Sequence, residues 1–195
     1  PNRPITYIVP FTPGGTTDVI GRTIAQYLAP MLGQPIVIEN KPGAAGAVGA
    51  AAAKNSKPDG YTLFGGTIST HAINASLYPD LPYDPIKDFE PITLVGFIPN
   101  ALYVNPSLGV NNVQELIALI KKDPNARTFA SSGAGTSTHL AGELFGDLIG
   151  VKLTHVPYKG TPQAFQDVVA GNVAFMFDQL TAGAPLVKAG KLKLL

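Results

Sequence analysis

Residues 4–28, PITYIVPFTPGGTTDVIGRTIAQYL, decide the fold. Ile5, Tyr7, Ile8 and Val9 form a short apolar run of β-branched and aromatic side chains, which reads as a buried strand. The segment from Pro10 through Phe11, Thr12 and Pro13 to Gly14 and Gly15 stops it, because neither proline can donate to a ladder and both glycines can take positive φ. Thr16, Thr17 and Asp18 follow as candidate helix caps, and Val19, Ile20, Ile24, Tyr27, Leu28, Met31 and Leu32 recur near helical spacing. Strand, glycine turn and helix N-terminus in this order bring free amides and the positive end of a helix dipole to one spot, a seat for an anion. The turn lacks the P-loop lysine and is not GxGxxG. Asp18 adds a negative charge beside the seat, which would repel a fully charged phosphate unless it faces away or acts through water. A bare Pro-Gly-Gly is also compatible with a plain strand–helix turn.

Working outward, the alternation continues. Strands are expected at 36–38, 61–64, 92–95, 101–104, 128–130, 153–156, 173–177 and 192–195. Helices are expected at 44–54, 71–77, 112–122 (capped by Asn112), 137–148, 162–170 and 182–189. The pattern predicts an α/β fold of mainly parallel sheets flanked by helices. Its restart after a crossing segment near 96–104 predicts two lobes, residues 1–98 and 99–195. With 14% charged residues and a net charge of +1, the 195-residue chain has no electrostatic footprint for nucleic acid or an anionic membrane. The absence of cysteine removes thiol catalysis, disulfides and cysteine-based zinc sites. No run approaches a membrane span, so no direct membrane insertion is expected. The start at Pro1 shows no signal peptide and suits a mature exported protein or a cytosolic one.

The polar loops at 11–18, 65–71, 131–139 and 158–161, together with Asp178, all follow strands, and open α/β sheets bind ligands beyond the carboxyl ends of their strands. The loop at Ser131 repeats the first: glycines, hydroxyls, then a helix N-terminus. Two anion seats suit a ligand with an acid at each end. Ser131 or Ser132 with His139 and Asp178 could be assembled on paper into a hydrolase triad, yet Ala130 stands where GxSxG needs its first glycine. His139 and Glu143 are spaced i, i+4 as a two-ligand metal pair. Without an HExxH glutamate or an obvious third ligand, no metal is expected. His155, on an apolar strand, reads as a satisfied core or cleft-wall residue. No cofactor is implied.

The stretch PFTPGGTTDVIGR at 10–22 resembles the PF-x-PGG-x-x-D-x-x-x-R signature of the solute-binding proteins of tripartite tricarboxylate transporters, the TctC or Bug type. The likeness continues through IVIENKPGAAGAVGA at 36–50, KPDGYTLFGGTIS at 57–69, HAINASLY at 71–78, YDPIKDFEPITLV at 83–95, TFASSGAGTSTHLAGELF at 128–145 and HVPYKGTPQAFQDVVAG at 155–171. It covers essentially the whole chain in the family's order. The resemblance implies a two-lobe, type II-like periplasmic binding protein whose signal peptide has been removed. Its ligand would be a small di-, tri- or aromatic carboxylic acid, passed to membrane transporter subunits. By the same resemblance Phe11, Pro13, Gly14, Gly15 and Thr16 match the first carboxylate loop. Asp18 matches an aspartate that holds waters or polar ligand groups, with helix capping as its rival role. Thr67, Ser69 and His71 match a loop that varies with the ligand, and Asn74 would cap or pin the turn after it. Ser131, Gly133, Gly135, Thr136 and His139 match the second carboxylate loop. Tyr158, Gly160 and Asp178 match a hinge-side wall, with packing as the rival role of Tyr158. The family chain continues beyond the strand that residues 191–195 resemble, so both lobes are expected to be C-terminally incomplete. The competing readings are a hydrolase acting on a carboxylate or phosphate ester in the same cleft and a ligand-sensing module without transport.

Overall fold

In the computed structural model, which describes residues 1–195, β1 (Ile5–Val9) is the middle strand of a three-stranded sheet. It pairs in parallel with β2 (Ile36–Asn40) on one side and with β3 (Thr62–Phe64) on the other. Ile5, Ile8 and Val9 are buried, as a central parallel strand covered on both faces requires. Helix α1 (Thr16–Leu32) returns across this strand, and Gly21 lets it come close: a Cβ there would lie 3.1 Å from the Tyr7 ring. Helix α2 (Ala47–Lys54) uses the same device, since a Cβ on Gly49 would stand 2.8 Å from Pro10 Cα. A single π-helical turn, Ser69–Ile73, leads into the short α3 (Asn74–Leu77). These elements belong to one compact unit, Pro1–Leu94.

Two expectations for this unit are corrected. The helix expected from residue 44 starts at Ala47, because Gly43, Ala44, Ala45 and Gly46 all have positive φ (136°, 45°, 50° and 86°) and turn the chain left-handedly first. Alanine in that region costs roughly 1–2 kcal/mol per residue, offset here in part by Asn74, whose Nδ2 donates to Ala45 O at 3.2 Å. The strand expected at 92–95 does not form. Ile92 is 78% exposed and Leu94 84% exposed; β-branched residues make a strand only where a neighbouring strand and a packed face meet them.

The second compact unit is Val95–Leu195. Its five-stranded sheet has the order β6-β5-β7-β4-β8, with β4 (Asn100–Val104), β5 (Thr128–Ser131), β6 (Thr154–Pro157), β7 (Phe175–Gln179) and β8 (Lys193–Leu194). β5 is parallel to β6 and β7, whereas β4 is antiparallel to both β7 and β8. The sheets are thus mainly parallel, as expected, with β4 the one strand that runs against its neighbours; side-chain periodicity reports which face a residue takes and not the direction in which its strand runs. One face packs Leu102, Val104, Phe129 and Phe175 with α4 (Val113–Lys122) and α5 (Ser137–Ile149). The other packs Tyr103, Ala130 and Met176 with α6 (Thr161–Ala170) and α7 (Leu180–Lys188). Gly142 on α5 and Gly183 on α7 leave room for Phe129 and Tyr103, whose rings would lie 2.1 Å and 2.4 Å from an added Cβ.

Candidate functional site

In the first unit the carboxyl ends of β1, β2 and β3 carry the turn 10–15, the left-handed turn at 43–46 and the loop at 65–68. Gly14 has φ +85°, so its lack of a side chain matters. Gly15 does not share that need: its φ of −76° and ψ of 167° are open to any residue, and it serves as N-cap of α1 without a side-chain cap. Thr16 and Thr17 fall inside the first turn instead of capping it. Their amides are first-turn donors with no intrahelical acceptor. Thr12 Oγ1 in the turn and Thr16 Oγ1 at the start of α1 are both buried and make no hydrogen bond within the protein. Phe11 is half-buried, and Pro13 and Gly14 are exposed.

Asp18 is 2% exposed and lies behind the turn. Its Oδ2 accepts from Gly14 N and from Arg22 Nε, both at 2.9 Å, and its Oδ1 accepts from Asn40 Nδ2 at 2.9 Å. Burial raises the affinity of this carboxyl for a proton, but the bonds from Arg22, Gly14 and Asn40 outweigh it and hold the pKa below the ordinary carboxylate value.

The adjoining loop is knitted by Thr67 and Thr70, with Thr67 N donating to Thr70 Oγ1 at 2.9 Å. Ser69 is buried. His71 Nδ1 lies 2.9 Å from Thr70 Oγ1, and its ring sits 4.9 Å from that of Phe89, where burial pushes its pKa down. Asn74, expected to cap or pin the turn after it, is wholly buried and instead ties the earlier turn at 43–46 to Tyr83: it donates to Ala45 O and to Tyr83 Oη, each at 3.2 Å, while Tyr83 Oη donates to Thr70 O at 2.7 Å.

In the second unit the loop after β5 has Gly133 at φ +143° and Gly135 at φ +83°. Thr136 is the N-cap of α5, accepting from His139 N and donating to Gly133 O at 2.7 Å. Ser132 N donates to Thr138 Oγ1 at 3.0 Å. Ser131 is wholly buried, with its Oγ 2.6 Å from His155 Nε2 and accepting from Gly133 N at 3.1 Å. His139 Nδ1 accepts from Gly135 N at 3.1 Å. The His139 and His155 rings stack with centroids 3.9 Å apart and planes 20° apart, and His155 also stacks on Phe129. Burial first, and the neighbouring His139 second, push the His155 pKa down to about 4.

This geometry answers the catalytic and metal readings. The triad does not assemble: Ser131 meets His155 and not His139, and Asp178 Oδ2 accepts from Thr161 Oγ1 at 2.7 Å while its Oδ1 accepts from Gln179 N at 2.6 Å. His155 does supply the third residue that the chain order hid, with ligand atoms of His139, Glu143 and His155 within 4.8 Å of one another. Their directions do not converge, however. A neutral His139 that accepts an amide proton at Nδ1 carries its own proton on Nε2, which faces Glu143 Oε1 at 3.3 Å. The in-plane lone pairs of nearly parallel rings also cannot meet at one ion.

Of the remaining expected residues, Tyr158 donates its hydroxyl to the Asp167 carboxylate on α6 and its amide to Ser131 O at 3.1 Å. Burial and then the Asp167 contact push its pKa up to about 12. Gly160 is the N-cap of α6, in extended backbone that any residue adopts. Asp178 is wholly buried, and that burial pushes its pKa up to about 6 against the bonds it accepts. Asn40, Tyr83 and His155 were not picked out as site residues from sequence. Asn40 lies two residues past the strand expected at 36–38 and closes the observed β2, and His155 reads from sequence only as a core or cleft-wall residue.

The model of the tripartite tricarboxylate transporter family receptor, TctC, matches residues 20–195. Protein BugT of Bordetella pertussis is 39% identical over 196 residues, which cover 100% of this chain and 60% of BugT. An R. palustris protein solved with adipate is 39% identical with a TM-score of 0.97, over 100% of this chain and 65% of that one. MatC from Rhodopseudomonas palustris, solved with bound malate, is 36% identical with a TM-score of 0.91, over 100% of this chain and 66% of that one. The chain thus spans about three fifths of the length of the curated relatives it matches.

Proposed function

This chain belongs to the tripartite tricarboxylate transporter receptor family, and from that premise we propose that it captures a small organic carboxylate in the periplasm for membrane transporter subunits. Its α/β fold is that of the periplasmic binding protein BugD, with which it shares 35% identity at a TM-score of 0.92, and a binding role without catalysis follows that likeness. The observation that carries the reading is the start of α1. A turn with one left-handed glycine presents first-turn amides beside Thr16 Oγ1, a buried hydroxyl with no partner in the protein. A helix N-terminus favours an anion by roughly 0.3–1 kcal/mol, and by up to about 2 kcal/mol when partly buried. Phe11, Pro13, Gly14, Gly15 and Thr16 form this seat, with Thr67, Ser69 and His71 beside it. The start of α5, with Ser131, Gly133, Gly135, Thr136 and His139, forms the second, supported by Tyr158, Gly160 and Asp178.

Neutral donors suit transport. They hold an acid without changing it and release it without breaking a covalent bond. Adipate and malate in the two R. palustris structures are both dicarboxylic acids, in keeping with this ligand class. The test is calorimetry with adipate and malate, each against its monoamide. Losing a charge-assisted hydrogen bond costs roughly 1.5–3 kcal/mol, so one amide substitution should weaken binding about ten- to a hundredfold. Equal affinity for acid and amide would sink the carboxylate assignment.

A further inference from the structure

A carboxylate buried behind an anion seat is an electrostatic contradiction, and Asp18 creates one here. The structure resolves it through Asn40, the last residue of β2. Asn40 Nδ2 donates to Asp18 Oδ1 at 2.9 Å and to Phe11 O at 3.0 Å, and its Oδ1 accepts from Arg22 Nη2 at 3.2 Å. Arg22 in turn closes on Asp18 Oδ2, the oxygen that also takes Gly14 N. Both Asp18 oxygens are therefore occupied from within the protein, and the carboxylate is paired with a guanidinium. We propose that Asn40 is the positioning residue of the first carboxylate seat. It locks Asp18 and Arg22 into a neutral pair behind the turn and ties that pair to the Phe11 carbonyl in front of it.

The inference deepens the proposed function and rests on it for the ligand's charge. Only a primary amide fits the position, because it must donate twice and accept once while staying uncharged. The pair draws the Gly14 amide inward to Asp18 and leaves the Thr16 and Thr17 amides for an incoming acid. Asp18 is thereby a part of the scaffold and not a ligand contact.

Two readouts on the 195-residue chain test this. The first needs no ligand: the Gly14 amide proton, followed by nuclear magnetic resonance and hydrogen exchange. Asn40→Ala should shift that resonance upfield and speed its exchange more than tenfold. Arg22→Gln, at a half-exposed side chain, provides a second variant should Asn40→Ala fail to fold, and it should keep the Gly14 bond while weakening adipate binding. The second readout is adipate affinity against pH. Asn40→Asp sets a second carboxyl against Asp18. Its affinity, taken as the ratio to the unsubstituted protein at each pH so that the protonation of adipate cancels, should fall more than tenfold at pH 7.5, with recovery towards pH 5 as the added carboxyl takes a proton. A merely structural role would give a loss independent of pH. An unchanged Gly14 amide in Asn40→Ala, or an adipate affinity in Arg22→Gln equal to that of the unsubstituted protein, overturns the proposal. A perturbed Gly14 amide in a protein that binds no carboxylate would instead refute the functional reading and leave the positioning role standing.

Discussion

Replacing Asp178 with asparagine is expected to stabilise the second unit at neutral pH and to do so less and less as the solution is acidified. Asp178 is wholly buried, and burial lifts its pKa from 3.8 to about 6 despite the bonds from Thr161 and Gln179. The folded state therefore binds a proton more tightly than the unfolded state. Its contribution is fully present below pH 3.8 and is lost as pH rises through 6. A gap of about two pKa units at 1.36 kcal/mol each is worth roughly 3 kcal/mol. Asparagine has the same shape and no charge. Its oxygen can take the Gln179 amide and its NH2 can donate to Thr161 Oγ1, whose hydroxyl is free to rotate. The measurement is urea unfolding by circular dichroism at steps from pH 4 to 7, taken as the difference between variant and unsubstituted protein so that other titrating groups cancel. The advantage of Asp178→Asn should grow by about 2–3 kcal/mol across that range. Parallel profiles would show that Asp178 titrates alike in both states, and the burial argument would be wrong.

His155 carries the opposite sign. With a folded pKa of about 4 against 6.5, it stabilises above pH 6.5 and loses that contribution as pH falls towards 4, so His155→Gln should flatten the acid side of the unfolding profile. The partial exposure of the imidazole should hold the effect to about 1–2 kcal/mol. Gly14→Ala should cost roughly 1–2 kcal/mol because Gly14 has φ +85°, and Gly14→Asn less, since asparagine tolerates that region; equal losses would remove strain as the cause. Gly142→Ala drives a methyl into the Phe129 ring and should destabilise by about 1–3 kcal/mol. Adding Phe129→Leu should give a double variant less impaired than the sum of the two singles, and strict additivity would mean the helix moves instead.

Much of the local structure at the proposed seats was legible because local forces make it. Pro10 and Pro13 cannot extend a ladder, Gly14 takes the left-handed turn, and the apolar period after it is helical, so β1, the turn and α1 follow from residues 4–28 without knowledge of the rest. Asn112 was recognisable as a cap for the same reason, and it accepts from Glu115 N as a cap should. The loop at Ser131 repeated that pattern and was found with it. What the chain order could not reveal depends on partners brought together by folding. Residues 92–95 had strand propensity without a strand to pair with, and β4 took a direction that no side-chain period encodes. Asp18 looked like an obstacle to an anion until Arg22 and Asn40 met it, and Ser131 looked like a partner for His139 until folding set it against His155. Those pairings join residues up to 24 apart. Periodicity and turn chemistry act over a few residues, whereas burial, charge pairing and hydrogen-bond partners are properties of the packed chain.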